Sequence, residues 1–191
     1  MGYKAVVIGV SAGGMEALRV VLSVLPADFP APILVVQHMA PDSDDFLPRF
    51  LNEKCPLTVK EADEKEKASP GVVYLAPPNY HLLVEDDATL SLTVTERVNY
   101  ARPAIDVLFE TAADAFGPEL IGIVLTGAND DGSRGLRKIK ELGGLAIVQT
   151  PETAAAGIMP TAAIAATEVD HILSLEEIGP VLRNIMGEED G

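Results

Sequence analysis

The chain has 191 residues, 48% of them hydrophobic, one cysteine and a formal net charge of -15. This length suits a single domain, residues 1–191, with a sizeable core, and one cysteine excludes a disulfide framework or a cysteine-rich metal site. The charge argues against nucleic acid and anionic membrane surfaces as partners, since both bind clustered Lys and Arg.

Aromatic residues make up only 5% and tryptophan is absent, so Ala, Val, Leu and Ile must build the core, as they do in parallel sheets. No apolar run approaches the about 18 residues of a membrane span. The N-terminal apolar stretch is broken by glycines and followed by Glu16 and Arg19, which does not fit a signal peptide. The expected location is the cytoplasm.

In chain order, Ala5 to Ile8 reads as a buried strand that runs into the turn Gly9-Val10-Ser11-Ala12-Gly13-Gly14. A helix opens at Gly13-Gly14, with Met15, Leu18, Val21, Leu22 and Leu25 at helical spacing and Pro26 as its stop. Ile33 to Val36 is a second buried strand ending in Gln37-His38-Met39. Asp42 to Cys55 reads as a helix from an Asp or Ser cap, with Pro48 tolerated only near its start or at a kink. Leu57 to Glu61 and Val72 to Ala76 are further strands, and the mixed-sign run from Lys60 to Lys67 reads as a solvated loop. His81 to Val84 and Leu90 to Val94 flank Glu85-Asp86-Asp87, a hairpin pattern.

Pro103 fits the first turn of a helix to Phe116, with Ile105, Leu108, Phe109 and Ala112 on its apolar face. Leu120 to Leu125 is a strand that enters Thr126-Gly127-Ala128-Asn129-Asp130-Asp131-Gly132. Ser133 to Leu142 is a helix and Leu145 to Val148 a strand. Pro151 to Thr161 has no period. Helices over Thr161 to Thr167 and Leu175 to Ile185 bracket a short strand at Ile172-Leu173. The alternation implies an α/β fold: a doubly wound, mostly parallel sheet with an inserted antiparallel hairpin.

In such sheets the functional crevice lies beyond the carboxyl ends of the strands. Three loops meet that condition: the Ser11 turn, Gln37-His38-Met39 and Thr126 to Gly132. They carry a serine, a histidine and acidic residues, the parts of a nucleophile, a general base and an orienting carboxylate. Glycines on both sides of Ser11 clear an approach to its hydroxyl. Each part also has a plain structural reading: a turn serine, a hydrogen-bonded histidine at a strand end, and an Asp-Gly turn with a helix cap.

Other assignments fit less well. Gly9-Val10-Ser11-Ala12-Gly13 matches the nucleophile elbow of α/β-hydrolases, whose order of Ser, acid, His would select His171. His171 precedes the strand at Ile172, which puts it at the wrong end of the sheet. His81 sits in an alternating strand and reads as structural. A nucleotide-binding turn is also open, but the spacing is not Gly-x-Gly-x-x-Gly and no P-loop lysine follows. Cys55 has no basic neighbour in sequence other than Lys54 and reads as inert.

The motifs together resemble the catalytic domain of the chemotaxis receptor methylesterases, the CheB family. The resemblance rests on Ile8-Gly9-Val10-Ser11-Ala12-Gly13-Gly14, Val36-Gln37-His38-Met39, Tyr74-Leu75-Ala76-Pro77 with His81-Leu82, Arg102-Pro103 with Asp106-Val107-Leu108-Phe109, Leu125-Thr126-Gly127 with Asp131-Gly132, and Gly157-Ile158-Met159-Pro160. It implies a serine esterase that demethylates glutamate γ-methyl esters, and deamidates glutamines, on the cytoplasmic helical domain of chemoreceptors, with no metal or organic cofactor. Ser11 would be the nucleophile, His38 the base and Asp131, rather than Asp130, the third member. Ala12, Gly13, Gly127, Ala128 and Met159 are the expected substrate-binding or oxyanion residues. Two departures stand out: Ala128-Asn129 replaces the family's Met-Gly, and Ala104 stands where a small polar residue is usual. Family members commonly carry an N-terminal receiver domain, and four residues of this chain precede its first strand. Either the protein is a stand-alone esterase or a receiver domain has been trimmed from it, and a separate receiver protein would be a regulatory partner. The altered loop also motivates a rival reading, a non-enzymatic chemotaxis adaptor that keeps the fold.

Overall fold

A computed structural model of the protein describes residues 2–187. Its central strand is β1 (Ala5–Val10), six consecutive buried residues. Hydrogen bonding continues through β2 (Ile33–Gln37), β3 (Thr58–Glu61), β4 (Val72–Leu75), β7 (Leu120–Val124), β8 (Leu145–Gln149) and β9 (His171–Leu173). The sheet order is β3-β4-β2-β1-β7-β8-β9, and every neighbouring pair is parallel. Strands β5 (His81–Val84) and β6 (Leu90–Thr93) pair antiparallel as a separate hairpin. The expected doubly wound sheet with an inserted hairpin is the observed fold.

Parallel strands need crossovers, and these place helices on both faces, so β1 is apolar on both. Val6, Ile8 and Val10 pack in a core with Leu18, Val21 and Leu22 of α1 (Gly14–Leu22), Leu51 of α2 (Phe46–Lys54), and Ile178 and Leu182 of α6 (Leu175–Gly187). Ala5 and Val7 face the other core, with Ile105, Leu108 and Phe109 of α3 (Ile105–Phe116), Leu136 and Ile139 of α4 (Ser133–Glu141), and Met159 and Ala163 of α5 (Ile158–Ala166). Burying each Leu, Ile or Phe side chain stabilises by about 1.5–3 kcal/mol, which is what holds these layers to the sheet.

The sheet has its switch point at β1, with β2 bonded on one side and β7 on the other. The crevice beyond their carboxyl ends is therefore bordered by the segments after Val10, Gln37 and Val124. At Gly9 the N-terminus of α3 closes over β1: a Cβ there would collide with the Ile105 side chain.

Several boundaries differ from those read in the sequence. Helix α1 ends at Leu22, before Pro26, and Met15 is exposed. Helix α2 begins at Phe46 rather than Asp42, which leaves Pro48 in its first turn, where no intrahelical N–H is needed. Helix α3 begins after Pro103, at Ile105, and the Arg102–Pro103 peptide bond is cis. Helix α5 begins at Ile158, so Met159 and Pro160 belong to a helix rather than to an aperiodic segment.

Candidate active site

Ser11 follows β1 directly, and its main chain is held from both neighbouring strands. Its N–H donates to the Thr126 carbonyl at 2.9 Å, and its carbonyl accepts from the Gln37 Nε2 at 3.0 Å and the Gly14 N–H at 2.9 Å. The Thr126 hydroxyl donates to the Ala12 carbonyl at 2.7 Å. Gly13 turns the chain into α1 with φ +80°, in the left-handed region where glycine carries no steric penalty. A Cβ on Gly14 would overlap the Gln37 amide, so the close packing of this turn also requires glycine there. The half-buried Ser11 hydroxyl makes no hydrogen bond among the described residues. It borders two clefts, one of about 510 Å³ shared with Met15, Met39, Phe46 and Leu47, the other of about 480 Å³ shared with His38, Arg97, Tyr100 and Asn129.

The His38 N–H donates to the Val10 carbonyl at 3.0 Å, one step beyond the Val10–Gln37 pair, so His38 stands across from Ser11. Its ring is 13% exposed and its Nε2 lies 2.7 Å from Oδ2 of Asp131, which is fully buried. Residues that are 93 positions apart thus meet at the crevice.

Asp131 is held by more than the imidazole. Its Oδ2 also accepts the Ile105 N–H at 2.7 Å, and its Oδ1 accepts the Asp106 N–H at 3.0 Å and the Asn99 Nδ2 at 2.8 Å. The two backbone donors are first-turn amides of α3, which have no partner within the helix. Asp106 returns the arrangement: its Oδ1 accepts the N–H groups of Gly132 at 3.1 Å and Gly135 at 2.7 Å, at the start of α4. Asp131, in the turn just before α4, therefore caps α3, and Asp106 of α3 caps α4, each with a buried carboxylate. Asn99 joins them, giving one amide hydrogen to Asp131 and the other to Asp106 Oδ2 at 2.7 Å.

Burial pushes both carboxyls upward, with different outcomes. For Asp131 the hydrogen bonds from His38, Ile105, Asp106 and Asn99 outweigh burial and hold its pKa below the ordinary value. For Asp106 burial, aided by the nearby Asp131 charge, prevails over the Gly135 and Asn99 bonds and raises it. Asp131 is thus ionised at neutral pH and only accepts hydrogen bonds. Nε2 of His38 must then carry its proton, which leaves the lone pair on Nδ1.

The remaining expected residues divide. The N–H groups of Ala12, Gly13 and Ala128 reach no acceptor among the described residues, whereas the Gly127 N–H is engaged by the Ala156 carbonyl at 2.9 Å. Met159 is buried beneath the turn, where its sulfur packs against Gly127, and it lines neither cleft. His81 is fully buried, with Nε2 donating to the Glu96 carbonyl at 2.8 Å and Nδ1 accepting the Ala104 N–H at 3.2 Å, so both nitrogens are occupied structurally. His171 lies in edge strand β9, away from the site.

Sequence reasoning did not find Asn99 or the capping role of Asp106. An acidic residue in a helix's first turn was the only local signal for Asp106, and it points to its own helix rather than to α4. In the sequence Asn129 stands out only as a replacement for glycine, yet its Nδ2 lies 3.2 Å from His38 Nδ1.

A family model described as CheB methylesterase matches residues 6–182. A Leptospira interrogans protein is 56% identical over 178 residues, 93% of this chain and 92% of its own length. A Thermotoga maritima protein named protein-glutamate methylesterase/protein-glutamine glutaminase is 38% identical over 92% of this chain; the match spans 52% of that protein. The crystal structure of the Thermotoga maritima CheB methylesterase catalytic domain superposes with a TM-score of 0.92 at 36% identity, covering 97% of this chain and 100% of that one. No helix among the described residues is long and apolar enough to cross a membrane.

Proposed function

The chain belongs to the CheB methylesterase family, and from that membership we propose that it is a serine hydrolase that removes methyl groups from glutamate γ-methyl esters of chemoreceptors. The observation that carries the mechanism is the 2.7 Å contact from His38 Nε2 to the buried Asp131, opposite the Ser11 turn. With Nε2 committed to Asp131, Nδ1 is the base. Ser11 Oγ bonds to the ester carbonyl carbon as its proton passes to Nδ1. The tetrahedral intermediate then expels methanol, which takes that proton, and water attacks the acyl-enzyme by the same route. Asp131 fixes the tautomer and stabilises the imidazolium.

The oxyanion would be met by the N–H groups of Ala12 and Gly13, which precede the N-terminus of α1, where the helix dipole is positive, or by that of Ala128. Removing one such donor typically costs about 10²–10³ in rate. An acyl-enzyme also forms from an amide, with ammonia as leaving group, so glutamine deamidation is the accompanying reaction. The partner is a methylated helical domain of a receptor, and the site of action is the cytoplasm.

The test is methanol release from a methylated receptor cytoplasmic domain by wild type, Ser11→Ala and His38→Ala. Release by the wild type and near-complete loss in both variants supports the assignment. Activity in S11A within tenfold of wild type would remove Ser11 as the nucleophile.

A further inference from the structure

The Asn129 side chain touches the one atom that this mechanism needs free. Its Oδ1 accepts the Asp131 N–H at 3.0 Å, a turn that Asn side chains commonly close two residues on. That bond settles which end of the amide faces the imidazole: it is Nδ2, 3.2 Å from His38 Nδ1. Because Nε2 carries the ring proton toward Asp131, Nδ1 presents a single in-plane lone pair, and the amide N–H is directed at it. The ring cannot turn away without breaking its 2.7 Å bond to Asp131. Meanwhile the Ser11 hydroxyl has no hydrogen-bond partner among the described residues.

We infer that Asn129 is a positioning residue that holds the catalytic pair disengaged in the resting enzyme, its amide N–H occupying His38 Nδ1 until it moves off and lets Ser11 transfer its proton there. This rests on the assignment of Ser11 and His38 proposed above. The surroundings permit the movement. Asn129 is half-buried between exposed Ala128 and Asp130, while Gly127 is anchored by its N–H to Ala156 and by Met159 beneath it. Rotation of one side chain is sufficient. At this position a glycine would leave Nδ1 unoccupied, so the contact belongs to this chain's Ala128-Asn129 loop.

Two variants test it. Asn129→Ser keeps an oxygen that can accept the Asp131 N–H but is too short to reach the ring; Asn129→Gly removes both contacts. The readout is the second-order rate of Ser11 labelling by a fluorophosphonate, in which the Oγ–P bond forms, fluoride leaves and the serine proton goes to His38. Both variants should label about 2- to 10-fold faster than wild type, the range spanned by one neutral hydrogen bond. The kcat for methanol release should rise by the same factor with KM unchanged, a gain that a merely structural residue would not yield. Labelling of N129S at or below the wild-type rate overturns the inference while leaving the nucleophile intact. Absence of Ser11 labelling in wild type and both variants, all folded by circular dichroism, removes the nucleophile assignment and this inference with it.

Discussion

Replacing Asp131 with asparagine preserves size and shape but not the count of acceptors. The carboxylate takes two N–H groups on each oxygen: His38 and Ile105 on Oδ2, Asn99 and Asp106 on Oδ1. With the new NH₂ at the Oδ1 position, it would face the Asp106 N–H, which cannot adapt, and Asn99, whose amide can flip only by turning its oxygen onto the Asp106 carboxylate. At the Oδ2 position it faces the Ile105 N–H, which cannot adapt, and His38, which can. The imidazole accommodates by shifting its proton from Nε2 to Nδ1 once the half-buried Asn129 amide has rotated off that nitrogen, so this second orientation leaves one buried clash fewer and is preferred. It also puts the proton on the nitrogen that, in the proposed mechanism, receives the one from Ser11.

One buried unsatisfied donor costs about 1–3 kcal/mol, which for a chain of this length is roughly 3–10 °C in Tm. The kcat should fall by ~10⁴, the loss seen when a triad carboxylate is replaced and the wrong tautomer results. Urea unfolding and methanol release measure the two effects separately. Because the folded Asp131 titrates below its ordinary 3.8, its contribution to stability is complete above that pH and is lost as pH falls through the lowered value. The stability gap between wild type and D131N should therefore be full at pH 7 and narrow below about pH 4. A variant with kcat within tenfold of wild type and an unchanged Tm would refute this account of the site.

Asn99→Ala leaves the carboxylates of Asp106 and Asp131 without their shared donor; the expected result is a stability loss of about 1–3 kcal/mol and a kcat reduced more than KM is altered, read by urea unfolding and steady-state kinetics. Gly9→Ala drives a methyl group into Ile105 at the start of α3, and should cost about 1–3 kcal/mol by overpacking, with activity falling because the Ile105 N–H helps to hold Asp131. The half-buried Cys55 thiol is raised by burial, against the opposing influence of Arg19, to about 11. Its alkylation by iodoacetamide at pH 8 should accordingly be at least about tenfold slower in the folded protein than in urea, since only the thiolate reacts.

Much of the architecture follows from local residue patterns. Ala5 to Val10, Ile33 to Val36 and Leu120 to Val124 are short continuous apolar runs, and a strand covered on both faces by helices demands that composition. Glycines around Ser11 mark the bend, and the strand–helix alternation puts Ser11, His38 and the loop holding Asp131 on one edge of the sheet. Helix starts were less legible. At α2 and α3 the Asp, Ser and Pro signals lie one to four residues ahead of the first helical turn, and at α5 an Ala-rich segment has no amphipathic period because only Met159, Pro160 and Ala163 are buried.

The sequence by itself determined the fold, the family and the trio of side chains at the crevice, because strand runs, turn glycines and motif order are properties of neighbouring residues. Only the tertiary structure decided which nitrogen of His38 faces Asp131, that α3 and α4 exchange capping carboxylates through Asn99, and that Asn129 lies against the remaining nitrogen. Those outcomes depend on single polar atoms, brought within about 3 Å of one another from segments as many as 93 residues apart, and a hydrogen bond is specific to distance and direction in a way that no spacing along the chain records.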